Sequence, residues 1–232
     1  KFYITLNPTI STGSNIYNDG ITFGNGNAFI TYNVDATQSS KKIFGKYRAV
    51  KESTNVNCED KYQYVNDESQ LENSAYIDFQ SKDGDDFWSR NVENLWSEIS
   101  IDGVFLDGLV PSNLDSRSEA EKCDPIFEPL ILPVYQPLLP GNASEFSQNS
   151  VCMSAAHSLT NIYRPTNLKS SCTWHYCNHN YYSLMAQIST YNAIDNIPKV
   201  ASNKRAILES NLNTIGSGFF TGHVSDHLPG DD

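Results

Sequence analysis

The chain predicts an α/β fold built on a parallel sheet, and three observations carry that reading. Val104-Phe-Leu106 is a short apolar run that reads as a buried strand and ends abruptly at Asp107-Gly108. Ahead of it, Phe87, Trp88, Val92, Leu95, Trp96 and Ile99 recur at helical spacing, so one apolar stripe lies on a helix leading into that strand. Along the chain the order is strand, helix, strand, loop, helix, strand, which is the alternation of a parallel α/β domain. A carboxylate at the carboxyl end of such a strand stands where α/β barrels do their chemistry, so Asp107 is the first candidate catalytic residue.

The elements follow in order. Residues 1–10 read as a strand that stops at Asn7-Pro8. Residues 11–50 are rich in Gly, Asn, Ser and Thr and read as a long loop or hairpin excursion, and residues 51–82 are charged and polar, so 11–82 forms a loop and insertion region. Asp83-Gly-Asp-Asp86 sets acidic side chains at the positive N-terminal end of the helix that follows, with Trp88 and Trp96 expected in its core face. Residues 115–149 form a proline-rich loop, ordered but irregular. The pattern over 150–163 admits a helix. Leu184, Ile188, Tyr191 and Ile194 predict another within 180–197, closed by Pro198. Arg205-Ala-Ile-Leu208 reads as a strand and Gly216-Ser-Gly218 as a tight turn.

Composition narrows the function. The 232 residues carry a net charge of −11, and the 16 Lys and Arg form no dense run, which excludes a nucleic-acid or anionic-membrane partner. No apolar stretch approaches the roughly 18–20 residues that span a bilayer. Lys1-Phe-Tyr-Ile-Thr-Leu6 alternates like a strand, so no signal peptide is expected in the chain. The five cysteines include no Cys-x-x-Cys, and Cys172 and Cys177 are wrongly spaced for a zinc finger; no metal and no cofactor are expected. Asn142-Ala-Ser144 is an acceptor for N-glycosylation and favours a secreted or lumenal protein. The odd cysteine count leaves one thiol free or paired with another chain.

Two carboxylates are the natural candidates for acid/base work: Asp107 and Asp226, the latter in Thr221-Gly-His-Val-Ser-Asp226 after the last expected strand. A retaining glycosidase needs such a pair about 5 Å apart across one bond. Gly-x-Ser-x-Gly does not occur, so a serine nucleophile elbow is absent.

The motifs resemble glycoside hydrolase family 31, the α-glucosidases that include the sucrase–isomaltase type. Phe2-Tyr-Ile-Thr-Leu-Asn-Pro-Thr-Ile-Ser11 is similar to the family's third barrel strand, which ends Leu-Asp-Pro-Ala-Ile-Ser. Asp102-Gly-Val-Phe-Leu-Asp-Gly-Leu-Val-Pro-Ser-Asn-Leu114 resembles the nucleophile strand, Asp-Gly-Leu-Trp-Ile-Asp-Met-Asn-Glu-Pro-Ser-Asn-Phe. Val151-Cys-Met-Ser-Ala-Ala156 is similar to Ile-Cys-Met-Asp-Ala, and His179-Asn-Tyr-Tyr-Ser183 to His-Asn-Leu-Tyr-Gly. Lys204-Arg-Ala-Ile-Leu208 and Gly216-Ser-Gly-Phe-Phe-Thr-Gly-His223 resemble the strands leading to the acid/base loop.

The resemblance implies part of a (β/α)8 TIM-type barrel with long loop insertions, residues 1–232 covering roughly strands three to six. It implies that Asp107 holds the nucleophile position and Asp226 the acid/base position, with Ile10, Phe105 and His223 at substrate-binding positions. The departures are many. Asn7 replaces the strand-three aspartate, Gly108-Leu109-Val110 replaces Met-Asn-Glu, and Phe105 replaces the tryptophan two residues before the nucleophile. Lys46-Tyr-Arg-Ala49 stands for Val-Trp-Pro-Gly, the Arg-Ser-Thr motif is absent near Asn211, and His223-Val-Ser-Asp226 is one residue shorter than His-Trp-x-Gly-Asp. Relatives imply a Cys123–Cys152 disulfide; Cys172 and Cys177 could pair in an extra loop, leaving Cys58 to reach another chain.

These losses point to a degenerate, non-catalytic α-glucosidase-like subunit with a structural or carbohydrate-binding role in a secreted or lumenal assembly. Its expected partners are other chains or segments that complete the barrel, and carbohydrate. The alternative is an active retaining α-glucosidase in which Asp107 attacks the anomeric carbon and Asp226 protonates the leaving oxygen. A lectin-like binder without that ancestry explains the ordered motifs least well.

Overall fold

The computed structural model describes residues 2–32, 44–47, 50–52, 62–64, 72–99, 101–112, 150–153, 155–163, 172–197 and 206–224. In chain order these form β1 (Tyr3–Leu6), β2 (Thr9–Ser11), α1 (Asn15–Thr22), β3 (Thr31–Tyr32), β4 (Phe44–Tyr47), β5 (Val50–Glu52), β6 (Tyr62–Tyr64), β7 (Glu72–Tyr76), α2 (Lys82–Glu98) and β8 (Gly103–Leu106). Then come β9 (Ala155–Ala156), α3 (His175–Asn178), a 3-10 turn (His179–Tyr181), α4 (Tyr182–Asp195), β10 (Ile207–Ser210), a 3-10 turn (Ser217–Phe219) and β11 (Gly222–His223).

The strand ending at Asp107 is central in a parallel sheet of order β1-β8-β10-β11. Its register is strict: Leu6, Leu106 and Ser210 are level, as are Ile4, Val104 and Leu208. In that row Val104, Leu106, Leu208 and Ser210 are buried and Ile4 and Leu6 half-buried against them, and Val104 and Leu106 share one core with Phe87, Trp88, Val92 and Trp96 of α2. The alternate row, Tyr3, Thr5, Phe105, Ile207 and Glu209, is exposed or half-buried. Parallel sheets are normally covered on both faces. Here the helices cover one face, and the other is open among the described residues, as expected of one segment of a barrel.

The helix predicted from the Phe87–Ile99 stripe is α2. Ser81 caps it by accepting the Asp83 amide N–H, and Asp83 and Asp85 lie in its first turn. Trp88 and Trp96 are core residues, as expected, and the Trp88 indole N–H donates to Thr190 Oγ1 at 2.8 Å. The predicted helix at 180–197 is α4. It is buried continuously from Tyr182 to Thr190, so it lacks a single apolar stripe, and Tyr191, one of the four residues whose spacing predicts it, is 40% exposed.

The structure corrects several expectations. The strand read over 1–10 is two strands in two sheets, because Asn7-Pro8 turns the chain and β2 pairs antiparallel with β7. The 11–50 excursion contains α1, capped by Ser14, whose hydroxyl accepts the Tyr17 amide. Residues 74–81, within the segment read as a charged and polar insertion, are all buried, and Ala75, Tyr76, Ile77 and Phe79 are core. No helix occurs among the described residues of 150–163; β9 pairs with β3, and Asn161 is held by the Gln80 carbonyl. The strand read at 205–208 runs from Ile207 to Ser210, a shift of two residues. Gly216-Ser-Gly218 is a tight turn as expected, with Gly216 at φ +98°. The proline-rich loop 115–149 lies outside the described residues. No helix among the described residues is long and apolar enough to cross a membrane.

Cys172 and Cys177 are disulfide-bonded, closing the short segment around α3. Cys152 is also disulfide-bonded. Cys123, its expected partner, and Cys58 lie outside the described residues.

Candidate functional site

The strand register carries three polar residues to one place. Asn7, Asp107 and Asn211 each follow the last residue of a parallel strand, one step beyond the level row Leu6, Leu106 and Ser210. Side chains alternate along a strand, so these three share the open face with Thr5, Phe105 and Glu209. The Asp107 amide still donates to the Leu6 carbonyl at 3.0 Å, which fixes its backbone in the ladder.

Asp107 Oδ1 accepts two hydrogen bonds, from the Gly108 amide at 2.8 Å and from Asn211 Nδ2 at 3.1 Å. No described residue donates to Oδ2, the atom left to attack an electrophile or to accept from a sugar hydroxyl. Among the described residues no cation pairs with this carboxylate; its donors are neutral amides. Asn7 turns its carboxamide back to accept the Thr9 amide at 2.9 Å. Gly108, at φ +64°, lies directly against that carboxamide, and a Cβ there would come within 2.8 Å of Asn7 Cγ.

Gly108→Ala should therefore cost about 2–3 kcal/mol, combining left-handed strain with the overlap at Asn7. In an Asn7→Ala background the cost should fall to about 1 kcal/mol, the strain alone. Urea unfolding of the four proteins checks both numbers.

The position of Asn211 depends on a residue that sequence reasoning missed. Gln187 of α4 is fully buried, and its Nε2 donates to Ser210 Oγ at 3.2 Å, the Leu212 carbonyl at 2.5 Å and Asn213 Oδ1 at 3.4 Å. One amide thus ties the end of β10 to the helix behind it. The available signal was a glutamine inside Leu184-Met-Ala-Gln-Ile188, since a buried amide in an apolar helix needs partners.

The remaining expected site residues separate. Phe105 is half-buried on the open face, two residues before Asp107. His223 is exposed at the end of β11, level with Ser210 and so in the row of Leu106 rather than that of Asp107. Ile10 lies on β2 and lines an apolar cavity of about 210 Å³ with Leu6, Ile16, Ile77, Trp88 and Val92. Asp226 and Asn142 lie outside the described residues. No group of three or more metal-ligating side chains converges on one point among the described residues.

The model of the glycosyl hydrolases family 31 TIM-barrel domain matches residues 4–227. Among solved structures the chain is similar to a GH31 dextranase of Flavobacterium johnsoniae complexed with glucose, with a TM-score of 0.52 and 12% identity over 96% of this chain and 18% of that one. It is also similar to the α-1,4-glucan lyase of Gracilariopsis lemaneiformis, a covalent intermediate complex with 5-fluoro-idosyl-fluoride, with a TM-score of 0.54 and 14% identity over 94% of this chain and 20% of that one. At these identities the likeness is one of fold. The chain spans about a fifth of the length of the structures it matches. No curated protein matches it in sequence.

Proposed function

The chain belongs to the glycosyl hydrolases family 31 TIM-barrel domain family, and from that premise we propose that it is a non-catalytic barrel segment with a structural or carbohydrate-binding role. The observation that carries this reading is the company of Asp107. A retaining nucleophile works in a preorganised polar wall that stabilises the charge developing on the sugar. Asp107 is instead bonded by a backbone amide and by Asn211, near which the family's substrate-contacting arginine is absent. The strand-three aspartate is Asn7, and the tryptophan beside the nucleophile is Phe105. A carboxylate ringed by amides still suits sugar hydroxyls, which both donate and accept.

The test is turnover of 4-nitrophenyl α-glucoside by the full chain and by Asp107→Asn. The expected result is no release above the buffer blank for either. Release by the unsubstituted chain that Asp107→Asn abolishes would overturn the proposal and restore the α-glucosidase reading, with Asp226 as the acid. Titration with maltose, followed at the Asn7, Asp107 and Asn211 amide signals, separates sugar binding from a purely structural role.

The same reading makes the partners the chains or segments that complete the barrel. Outer sheet edges readily take a further strand, and the open face would then be filled. A secreted or lumenal location accords with the Cys172–Cys177 disulfide, since such bonds persist in oxidising compartments. A glycan on Asn142, read by mass spectrometry of protein from a secretory host, is the expected mark of that route.

A further inference from the structure

Away from the Asp107 site, three imidazoles and a carboxylate form one continuous chain. His157 Nδ1 meets Asp78 Oδ1 at 2.7 Å, His157 Nε2 meets His175 Nδ1 at 3.0 Å, and His175 Nε2 meets His179 Nδ1 at 2.9 Å. Asp78, His157 and His175 are all 3% exposed or less, whereas His179 is partly exposed. The chain therefore runs from the surface to a buried carboxylate.

Its direction is fixed by the carboxylate end. Asp78 accepts three N–H groups, those of His157, Gln80 and Ser158, as an ionised carboxylate does. His157 then carries its proton on Nδ1, and its Nε2 accepts from His175 Nδ1–H. His175 Nε2 accepts in turn from His179 Nδ1–H, and no described residue meets His179 Nε2. Each contact holds one proton, so the neutral rings hold three in all. Only one more can enter without placing two protons in one contact, and it enters at His179 Nε2.

We propose that Asp78, His157, His175 and His179 form a one-proton relay, filled from the surface at His179, that balances the buried Asp78 charge on acidification. The transfers conserve every proton. Hydronium gives one to His179 Nε2; His179 Nδ1–H breaks as His175 Nε2–H forms; His175 Nδ1–H breaks as His157 Nε2–H forms. His157 ends as the cation against Asp78, and all three contacts survive. Burial and then the charges of the flanking rings hold His175 well below the ordinary imidazole range; burial and then His157 lower His179 too. The added charge rests on His157 because that ring touches the Asp78 carboxylate, at 2.7 Å. The other titratable group that feels Asp78 is Tyr182 of α4; burial first, then Asp78 and Tyr76 of β7, hold its phenol protonated far above the usual range. No metal is needed, because every ring nitrogen except His179 Nε2 is already engaged.

The relay's place gives it a role. Residues 7–81 lead from the carboxyl end of β1 to the start of α2, and 107–181 from the carboxyl end of β8 to the start of α4, so each excursion leaves the sheet at its Asp107 end. Asp78 belongs to the first and the three histidines to the second. The relay is thus a clamp between the two excursions flanking Asp107, and its charge state changes with pH while its bonds persist. A second proton breaks one contact, so the clamp is designed for a single step.

The experiment is a pH titration of the full chain with ¹⁵N-labelled histidine, reading which ring nitrogen bears hydrogen. All three rings should be Nδ1–H at neutral pH. On acidification His157 should gain Nε2–H while His175 and His179 change to Nε2–H in the same step. Three independent steps, or a His175 that stays Nδ1–H while His157 titrates, would overturn the relay. In His179→Phe, exchange of the His157 ring proton with solvent should slow at least tenfold; an unchanged rate would also overturn it. The unsubstituted chain decides the tautomer question without any variant.

Discussion

Gly84→Ala should lower stability by about 3 kcal/mol, although alanine is worth about 1 kcal/mol more than glycine in an unhindered helix. The reason is backbone against backbone. A Cβ at Gly84 would overlap the Asp78 carbonyl oxygen, sit 2.8 Å from its carbon and 3.1 Å from the Ala28 carbonyl oxygen. Neither carbonyl is free to move, since Asp78 accepts the Ser81 amide and Ala28 accepts the Asp78 amide, both at 2.9 Å. Overpacking against a side chain is relieved by a rotamer change; overpacking here must lift the first turn of α2 off the backbone at Asp78 and Ala28. At about 2–4 °C per kcal/mol for a chain of this size, the melting temperature should drop by roughly 6–12 °C. Gly218→Ala, where nothing lies within 4 Å, should stay within about 0.5 kcal/mol. Equal melting temperatures for the two variants would remove the clash as an explanation.

The same turn shows how far the sequence could be read. The Phe87–Ile99 stripe named α2, and the apolar run into Asp107 named β8, because both elements obey a period that a one-dimensional pattern displays. Residues 74–81 gave no such sign. Ser74, Asp78, Gln80 and Ser81 are polar yet buried; Asp78 and Gln80 are bonded to groups far away in sequence and Ser81 to its own turn, and composition prices such residues as exposed. The candidate site divides along the same line. Asp107 was visible because a strand delivers it, and Asn7 because proline follows it. The bond from Asn211 and the brace from Gln187 follow from strand register and helix packing, which only the assembled fold supplies. The histidine relay was invisible for the same reason: His157 and His175 are 18 residues apart, and Asp78 lies a further 79 away.

Phe79→Ala should be the most costly side-chain truncation in this part of the molecule, at about 3–5 kcal/mol. Phe79 is fully buried between Trp88 of α2 and Tyr182 of α4, with its ring edge-on to both at centroid distances of 5.8 and 5.4 Å. Its carbonyl also accepts Asn161 Nδ2 at 2.8 Å, so the residue joins both helices to the segment that carries His157. Truncation removes ring area and leaves a cavity that two aromatic neighbours held by their own contacts cannot close, which places it high in the range. Urea unfolding should show the midpoint falling with an unchanged slope. The location of the loss distinguishes packing from a global defect. Phe79→Ala and His175→Asn both weaken the junction of the β7–α2 turn with residues 155–161, so their costs should fail to add by about 0.5–3 kcal/mol. Phe79→Ala and Gly108→Ala disturb separate contacts and should add within about 0.5 kcal/mol. Coupling in the second pair and none in the first would mean that Phe79 belongs to the packing around Asp107 and lies outside the clamp.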